Sequence, residues 1–312
     1  MVQTVATAEL PVGESLNIQK NRIVPLGHIS NAAKRICIVT GTHGDELEGQ
    51  YVAWRLADEL LKNIEDLRGI VDIYPALNPL GINSIHRGMP LTDLDLNRIF
   101  PGKEDGMISE YLASETLKDI AGASVCIDIH ASNIFLRELP QIRINETLGD
   151  TLVPLAKHLN MPLIWIHASA TVLESTLAHS LNSIGTPTLV VEMGVGMRIT
   201  IEHGEQLLSG ILALMSHLGI WAKKMPPTMP PIISDDWHVA FINSDVSGIF
   251  ISETSHMANV SEGQELGFIA DPLSGRVLKR IKSPVSGLLF TLREYPVVYE
   301  GSLLARILHG TN

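Results

Sequence analysis

Four short apolar runs constrain this chain more than anything else in it. They are Ile36-Cys37-Ile38-Val39, Val125-Cys126-Ile127-Asp128-Ile129, Leu163-Ile164-Trp165-Ile166 and Thr188-Leu189-Val190-Val191. Each is near-continuously apolar rather than alternating, so each reads as a strand buried on both faces. Between them lie stretches with helical spacing, such as Ala53, Leu56, Leu60, Ile64 and Leu67. Strands of this kind alternating with helices require an α/β fold with a mixed, largely parallel sheet flanked by helices. The pattern predicts one helix through those five positions that stops before Gly69, and one capped by Ser109 and ending at Gly122. Further helices are expected around 151–159, 173–183 and 202–223. Weaker strands are expected at 16–19 and 23–26, and a clear one over 70–74, closed by Pro75. Residues 78–102 show no periodicity and are dense in Asn, Arg and Asp, which marks a long functional loop.

Composition changes after residue 223. Lys223-Lys224-Met225-Pro226-Pro227-Thr228-Met229-Pro230-Pro231 is a stiff linker, and no helical periodicity follows it. Short β-type runs recur instead at 239–242, 248–251, 266–269, 277–281, 287–291 and 303–307, separated by glycines. This reads as a small C-terminal all-β, barrel-like domain over 226–312, behind a larger domain over 1–225.

The net charge of −11 argues against a nucleic-acid partner. Cys37 and Cys126 sit inside apolar strands and read as buried thiols in a reducing compartment. The first 13 residues lack a signal peptide's basic start and apolar core, and no apolar run reaches membrane-spanning length. A cytoplasmic protein without a membrane partner is expected. A homo-oligomer is left open.

The ends of the strands carry the chemistry. Gly41-Thr42-His43-Gly44-Asp45-Glu46 follows the first strand, and the spacing predicts His43 and Glu46 on one face of a helix start. His130 ends the second strand and Glu192 ends the fourth. Open α/β sheets gather ligands at the C-terminal ends of their strands. Two histidines and one carboxylate with an open fourth position are the donor set of a catalytic zinc site. Zinc held this way lowers the pKa of its water to about 7 and polarises a carbonyl. Glu192 then serves as the general base and acid. Taken alone, the Asp, Asn and Arg residues of the long loop read as a solvated surface turn; as site residues, Arg87 would steady an oxyanion and Arg98 with Asn97 would anchor a substrate carboxylate. His28, His158, His179, His217 and His309 read as surface or packing residues.

These stretches, with Asn78-Pro79, Asp95-Leu96-Asn97-Arg98-Ile99-Phe100-Pro101-Gly102, Asp128-Ile129-His130 and Val191-Glu192, resemble the succinylglutamate desuccinylase/aspartoacylase family. That family is related to the zinc carboxypeptidases. The resemblance covers roughly residues 35–200 and implies a zinc-carboxypeptidase-like sheet. It implies one zinc ion per chain on His43, Glu46 and His130, with Glu192 as base and acid and Arg87 as carbonyl polariser. Asn97 and Arg98 become the carboxylate anchor, and Asp95 the acid that orients the first histidine. The implied activity is a zinc-dependent deacylase that cleaves a small N-acyl amino acid or related N-acyl amine. A metallocarboxypeptidase for short peptides uses the same residues. An inactive small-molecule-binding module does not need Glu192.

The segment Met193-Gly194-Val195-Gly196-Met197-Arg198 departs from the aspartoacylase pattern, and Arg198 offers a second cation for a substrate. The C-terminal part resembles the barrel of biotinyl and lipoyl carriers, but its hairpin turn, Ala270-Asp271-Pro272-Leu273-Ser274-Gly275, has no lysine. Lys279 and Lys282 lie beyond the turn, so a structural or gating role is expected, with Tyr295 or Tyr299 the residues to test for reach into the site.

Overall fold

The structure, a computed structural model, describes residues 1–27, 33–168 and 174–310. The chain opens with strands β1 (Val2–Glu9) and β2 (Ser15–Ile23), then β3 (Arg35–Val39), helix α1 (Glu48–Lys62), β4 (Ile70–Ala76), α2 (Pro79–Ser84) and α3 (Ile108–Ile120). It continues through β5 (Val125–Ala131), β6 (Leu136–Asn145), α4 (Gly149–Ala156), β7 (Leu163–His167), α5 (Leu177–Ser183), β8 (Thr188–Gly194) and α6 (Ile201–His217). The remainder is all β: β9 (Ile232–Asp235), β10 (Val239–Asn243), β11 (Gly248–Ser252), β12 (Asn259–Val260), β13 (Glu265–Asp271), β14 (Arg276–Lys282), β15 (Gly287–Arg293), β16 (Val297–Val298) and β17 (Leu303–Leu308).

One 13-stranded mixed sheet organises the molecule, in the order β1-β2-β4-β3-β5-β8-β6-β15-β17-β10, with β7, β9 and β12 branching from it. Its centre, β4-β3-β5-β8, is parallel. A second, four-stranded antiparallel sheet, β14-β13-β11-β16, closes the C-terminal part. The apolar runs sit where buried-strand chemistry requires. On β3, Ile36 and Ile38 face one core with Val52, Leu56 and Leu60 of α1 and Leu207 and Ile211 of α6. Cys37 and Val39 face the opposite core with Leu112 of α3 and Leu177 of α5. Burying each such side chain stabilises the fold by about 1.5–3 kcal/mol. Cys37 and Cys126 are adjacent across β3 and β5 but remain free. Burial pushes the Cys37 thiol up to about 12 and Cys126 well above its usual value, so both behave as inert small hydrophobes.

Several expectations are corrected. α1 ends at Lys62, and a separate 3-10 turn, Ile64–Asp66, carries the chain to Leu67. α3 starts after Met107; Ser109 lies inside its first turn, buried and hydrogen-bonded to Thr92. α6 stops at His217, because Ile220 and Trp221 turn into the core beside Leu67. The 23–26 strand is absent, since β2 ends at Ile23. The 78–102 segment is not wholly irregular: it holds α2 and a 3-10 turn at Leu96–Arg98. Strands β1 and β6, and the short β9, β12 and β16, were not legible. The 173 end of the expected 173–183 helix lies outside the described residues, as does His28. No helix among the described residues is long and apolar enough to cross a membrane.

The C-terminal strands are not an appendage. β15 pairs with β6, matching Thr291 to Glu138, so β15, β17 and β10 extend the main sheet. Lys279, on β14, pairs with Asp245, and Lys282 lies at the exposed end of that strand. The hairpin turn between β13 and β14 carries no lysine.

Candidate metal centre and active-site cavity

Parallel strands β3, β5 and β8 end side by side, and their register sets the site. His130 lies directly across from Glu192 in the β5–β8 pairing. After β3 the chain turns sharply at Gly41 (φ +66°). His43 and Glu46 then fall in a tight turn before α1, where Glu46 N–H donates to the His43 carbonyl at 3.3 Å. Their closeness therefore comes from this turn, not from a helical face as expected. Gly44 makes the turn possible: a Cβ there would stand 2.0 Å from the Gly81 carbonyl carbon. Gly44→Ala must push two backbones apart and is expected to cost about 1–3 kcal/mol, measurable by denaturant unfolding.

The donor atoms of His43, Glu46 and His130 lie within 4.8 Å of one another, and all three residues are buried. Nδ1 of His43 is 2.8 Å from Glu46 Oε1, and Nδ1 of His130 is 3.0 Å from Glu46 Oε2. Each imidazole meets a second carboxylate through its other nitrogen. His43 Nε2 is 2.9 Å from Asp95 Oδ1, and His130 Nε2 is 3.2 Å from Asp128 Oδ2. A carboxylate on Nε2 holds the proton there and leaves Nδ1 bare for a cation. His43 Nδ1 is buried and meets only Glu46. These donors fit a zinc ion. Asp128 is fully buried, and its carboxylate makes no other hydrogen bond among the described residues. Asp128→Asn is therefore expected to weaken metal binding about 10–100-fold, read by competition with a chromogenic chelator.

The charges interlock. Burial opposes ionisation of Glu46, yet hydrogen bonds from His130 and His43 hold its carboxyl well below the usual range. Burial likewise opposes protonation of both histidines. Asp95 and Glu46 bonds raise His43 above its usual value, and Asp128 and Glu46 do so for His130. Asp95 is half-buried, which opposes its ionisation, but the His43 bond brings it down to about 2. Glu192 shifts the other way: burial raises it, and Arg143, 3.4 Å away, only partly offsets that.

The loop residues are placed as follows. Asn78 accepts from Gly81 N–H at 2.8 Å and donates to the Gly88 carbonyl at 2.9 Å, which fixes the path of Arg87. Arg87 reaches the cluster and donates to Glu46 Oε1 at 2.8 Å. Asn97 is buried; its Oδ1 accepts from Leu177 N–H and its Nδ2 lies 3.5 Å from His130. Arg98 borders the cavity but is exposed, with Nη1 on the Asn97 carbonyl. Arg198 lies at the surface and bonds the Met197 carbonyl. After Glu192, Gly194 adopts φ +67° and leaves room for Glu48, which caps Thr200.

His43, Glu46, His130, Glu192, Arg87, Asn97 and Arg98 open on one cavity of about 670 Å³, while Asp95 and Arg198 do not line it. Its wall also contains residues that the sequence reading passed over: Asp128, Glu138, Arg143, Trp165, His167, His179, Asp236, Phe241 and Arg306. His179 was read as surface or packing, yet it lines this wall. Neither Tyr295 nor Tyr299 lines it; both are exposed, and Tyr295 packs edge-on against Phe135. Asp128 had a signal, since residues two apart on a strand share a face and His130 is its partner. Arg143 also had one, the alternation in Gln141-Ile142-Arg143-Ile144-Asn145, masked by Pro140. Phe241 and Arg306 had none.

Known proteins share the sequence pattern and the fold of this chain. Residues 32–218 match the family model of the succinylglutamate desuccinylase/aspartoacylase catalytic domain. An N-alpha-acetyl-L-2,4-diaminobutyric acid deacetylase of Halomonas elongata is 28% identical over 134 residues, which span 42% of this chain and 39% of that relative. The ectoine utilization protein EutE (DoeB) of Ruegeria pomeroyi, solved with product bound, superposes with a TM-score of 0.83 at 20% identity, covering 99% of this chain and 95% of that one. A succinylglutamate desuccinylase/aspartoacylase of Rhodobacter sphaeroides gives 0.82 at 20% identity, covering 100% and 96%. The fold is shared along nearly the whole length of these structures.

Proposed function

The chain belongs to the succinylglutamate desuccinylase/aspartoacylase family, and we propose that it is a zinc-dependent deacylase hydrolysing the amide bond of a small N-acyl amino acid or related N-acyl amine. The observation that carries this reading is the convergence of His43, Glu46 and His130, each histidine backed by its own carboxylate, opposite Glu192. These three residues would hold one zinc ion per chain. When bound, zinc supplies a lowered water pKa and a Lewis acid toward the acyl oxygen.

The remaining work falls to the chain itself. Glu192 takes a proton from the water that attacks the acyl carbon and delivers it to the departing nitrogen. Arg87 has five N–H donors, so it can hold Glu46 and still reach the acyl oxygen as charge builds there. Arg98 anchors a substrate carboxylate at the cavity edge, with Asn97 beside it. Asp95 and Asp128 keep the imidazoles oriented. We assign the catalytic role to residues 1–225 and a wall-forming role to 226–312, and we place the protein in the cytoplasm, where its free thiols persist.

The related deacetylase acts on an N-alpha-acetylated amino acid, which makes N-acetyl amino acids the first substrates to try. A screen of N-acetyl and N-succinyl amino acids, run beside dipeptides on protein of measured metal content, is expected to release free amine from an N-acyl amino acid in proportion to bound zinc. Turnover of dipeptides alone would instead make the protein a carboxypeptidase. Full metal content without any turnover would reduce it to a binding module.

A further inference from the structure

The cavity wall beyond Glu192 carries residues to which the proposed reaction gives no role. Two guanidiniums stand there. Arg143, on β6, has Nη1 3.4 Å from Glu192 Oε1 and Nη2 3.5 Å from Glu138 Oε1. Arg306, on β17, donates to the same Glu138 oxygen at 2.7 Å. Both lie against Trp165, at 5.7 and 5.5 Å from its ring centroid, and Arg306 also lies 5.4 Å from Phe241. The rings lie within cation–π distance of the two guanidiniums, so these are placed by packing as well as by charge.

The acids nearby are already occupied. Glu138 is buried, and it takes Gln141 Nε2 at 3.0 Å and Thr291 Oγ1 at 2.6 Å besides the two arginines. Its charge offsets one of the two cations, and Glu192 stands against the other at 3.4 Å. Asp236 accepts from Trp165 Nε1 at 2.9 Å, His167 at 3.1 Å and the Ala168 N–H at 2.9 Å. Burial, with Arg143 beside it, brings His167 down to about 4, so it adds no charge near neutral pH. The Nε atoms of both Arg143 and Arg306 are shut off from water and have no acceptor. The two guanidiniums are only partly buried and border the cavity, and the planar fork is shaped for a carboxylate.

We propose that Arg143 and Arg306 form a specificity subsite for a substrate carboxylate distinct from the one at Asn97 and Arg98. The proposal rests on reading the cavity as the amide-hydrolysing site. The carboxylate sits on the acyl group or on the amine; its chemistry at the arginines is the same. A site built to pair such a group discriminates strongly against an analogue that lacks it, because its own donors are then left unpaired. Arg306 comes from the last strand of the chain, so the C-terminal part takes a share in choosing the substrate.

Two matched pairs test this on the full-length, metal-loaded protein. One compares N-succinyl with N-succinamoyl on a fixed amine; the other compares N-acetyl-glutamate with N-acetyl-glutamine. The carboxylate member of one pair is expected to lead by about tenfold or more in kcat/KM, and the pair that responds tells which side carries the group. Arg306→Gln keeps a donor for Glu138 but removes the charge, and it should collapse that ratio. Arg306→Lys should retain part of it, and it replaces the Gln variant if that one misfolds. Equal rates within both pairs, or an equal loss on both members in Arg306→Gln, overturns the subsite while leaving the deacylase reading intact. If no amide is hydrolysed, the deacylase reading fails by itself, and calorimetry decides the subsite. Succinate should then bind about tenfold more tightly than its monoamide, and the difference should vanish in Arg306→Gln. Equal binding overturns the subsite.

Discussion

The Glu192→Gln protein is expected to keep its full complement of metal and to lose about 10²–10⁴-fold in kcat. Glutamine matches glutamate in size, so the Arg143 contact and the β8 register should survive while proton transfer does not. Glu192 sits across from His130 at the end of its strand, where it faces the cavity without belonging to the group of three converging donors. Its burial and its raised pKa suit a group that must first accept and then release a proton. Initial rates on the best substrate of the screen, taken with metal content by mass spectrometry, check the prediction. Turnover close to wild type in the metal-loaded variant would sink the mechanism.

His130→Ala should have an effect of comparable size by another route. It removes one of three converging donors, so metal affinity should fall by more than the roughly 10–100-fold expected for a lost supporting carboxylate. Glu46 would still hold Arg87 and the Ala131 N–H, so the turn should keep its shape. Activity should drop to background because the site no longer retains its ion. Wild-type protein stripped with a chelator offers the matching control: its activity should vanish, then return when zinc is restored. Metal-free protein that turns substrate over at the full rate would refute zinc dependence.

Much of this was legible in the linear string because it depends on short-range pattern. The apolar runs 36–39, 125–129, 163–166 and 188–191 became β3, β5, β7 and β8. Their composition demands burial on two faces, and such burial is obtained in a sheet covered by helices. His43, Glu46, His130 and Glu192 were readable as strand-end residues for the same reason. β6 was not legible: its Pro140, Arg137, Glu138 and Arg143 argue against a central strand. Pro140 is tolerated there because the β6–β8 pairing is irregular between Glu138 and Gln141. The charges are tolerated because Arg306 and Thr291, more than 150 residues away, pair with Glu138.

The division follows from range. Near-continuous apolar runs, turn-forming glycines and strand-end polar groups already specified the α/β class and the donors of the candidate metal centre. Neighbours in the chain create those signals, whatever lies elsewhere. The Asp128 contact with His130, the path of Arg87 onto Glu46 and the pairing of Arg143 with Arg306 across Glu138 were decided only by tertiary structure. Each depends on hydrogen-bond register or packing between distant segments, and no local propensity encodes which distant side chain will close the gap.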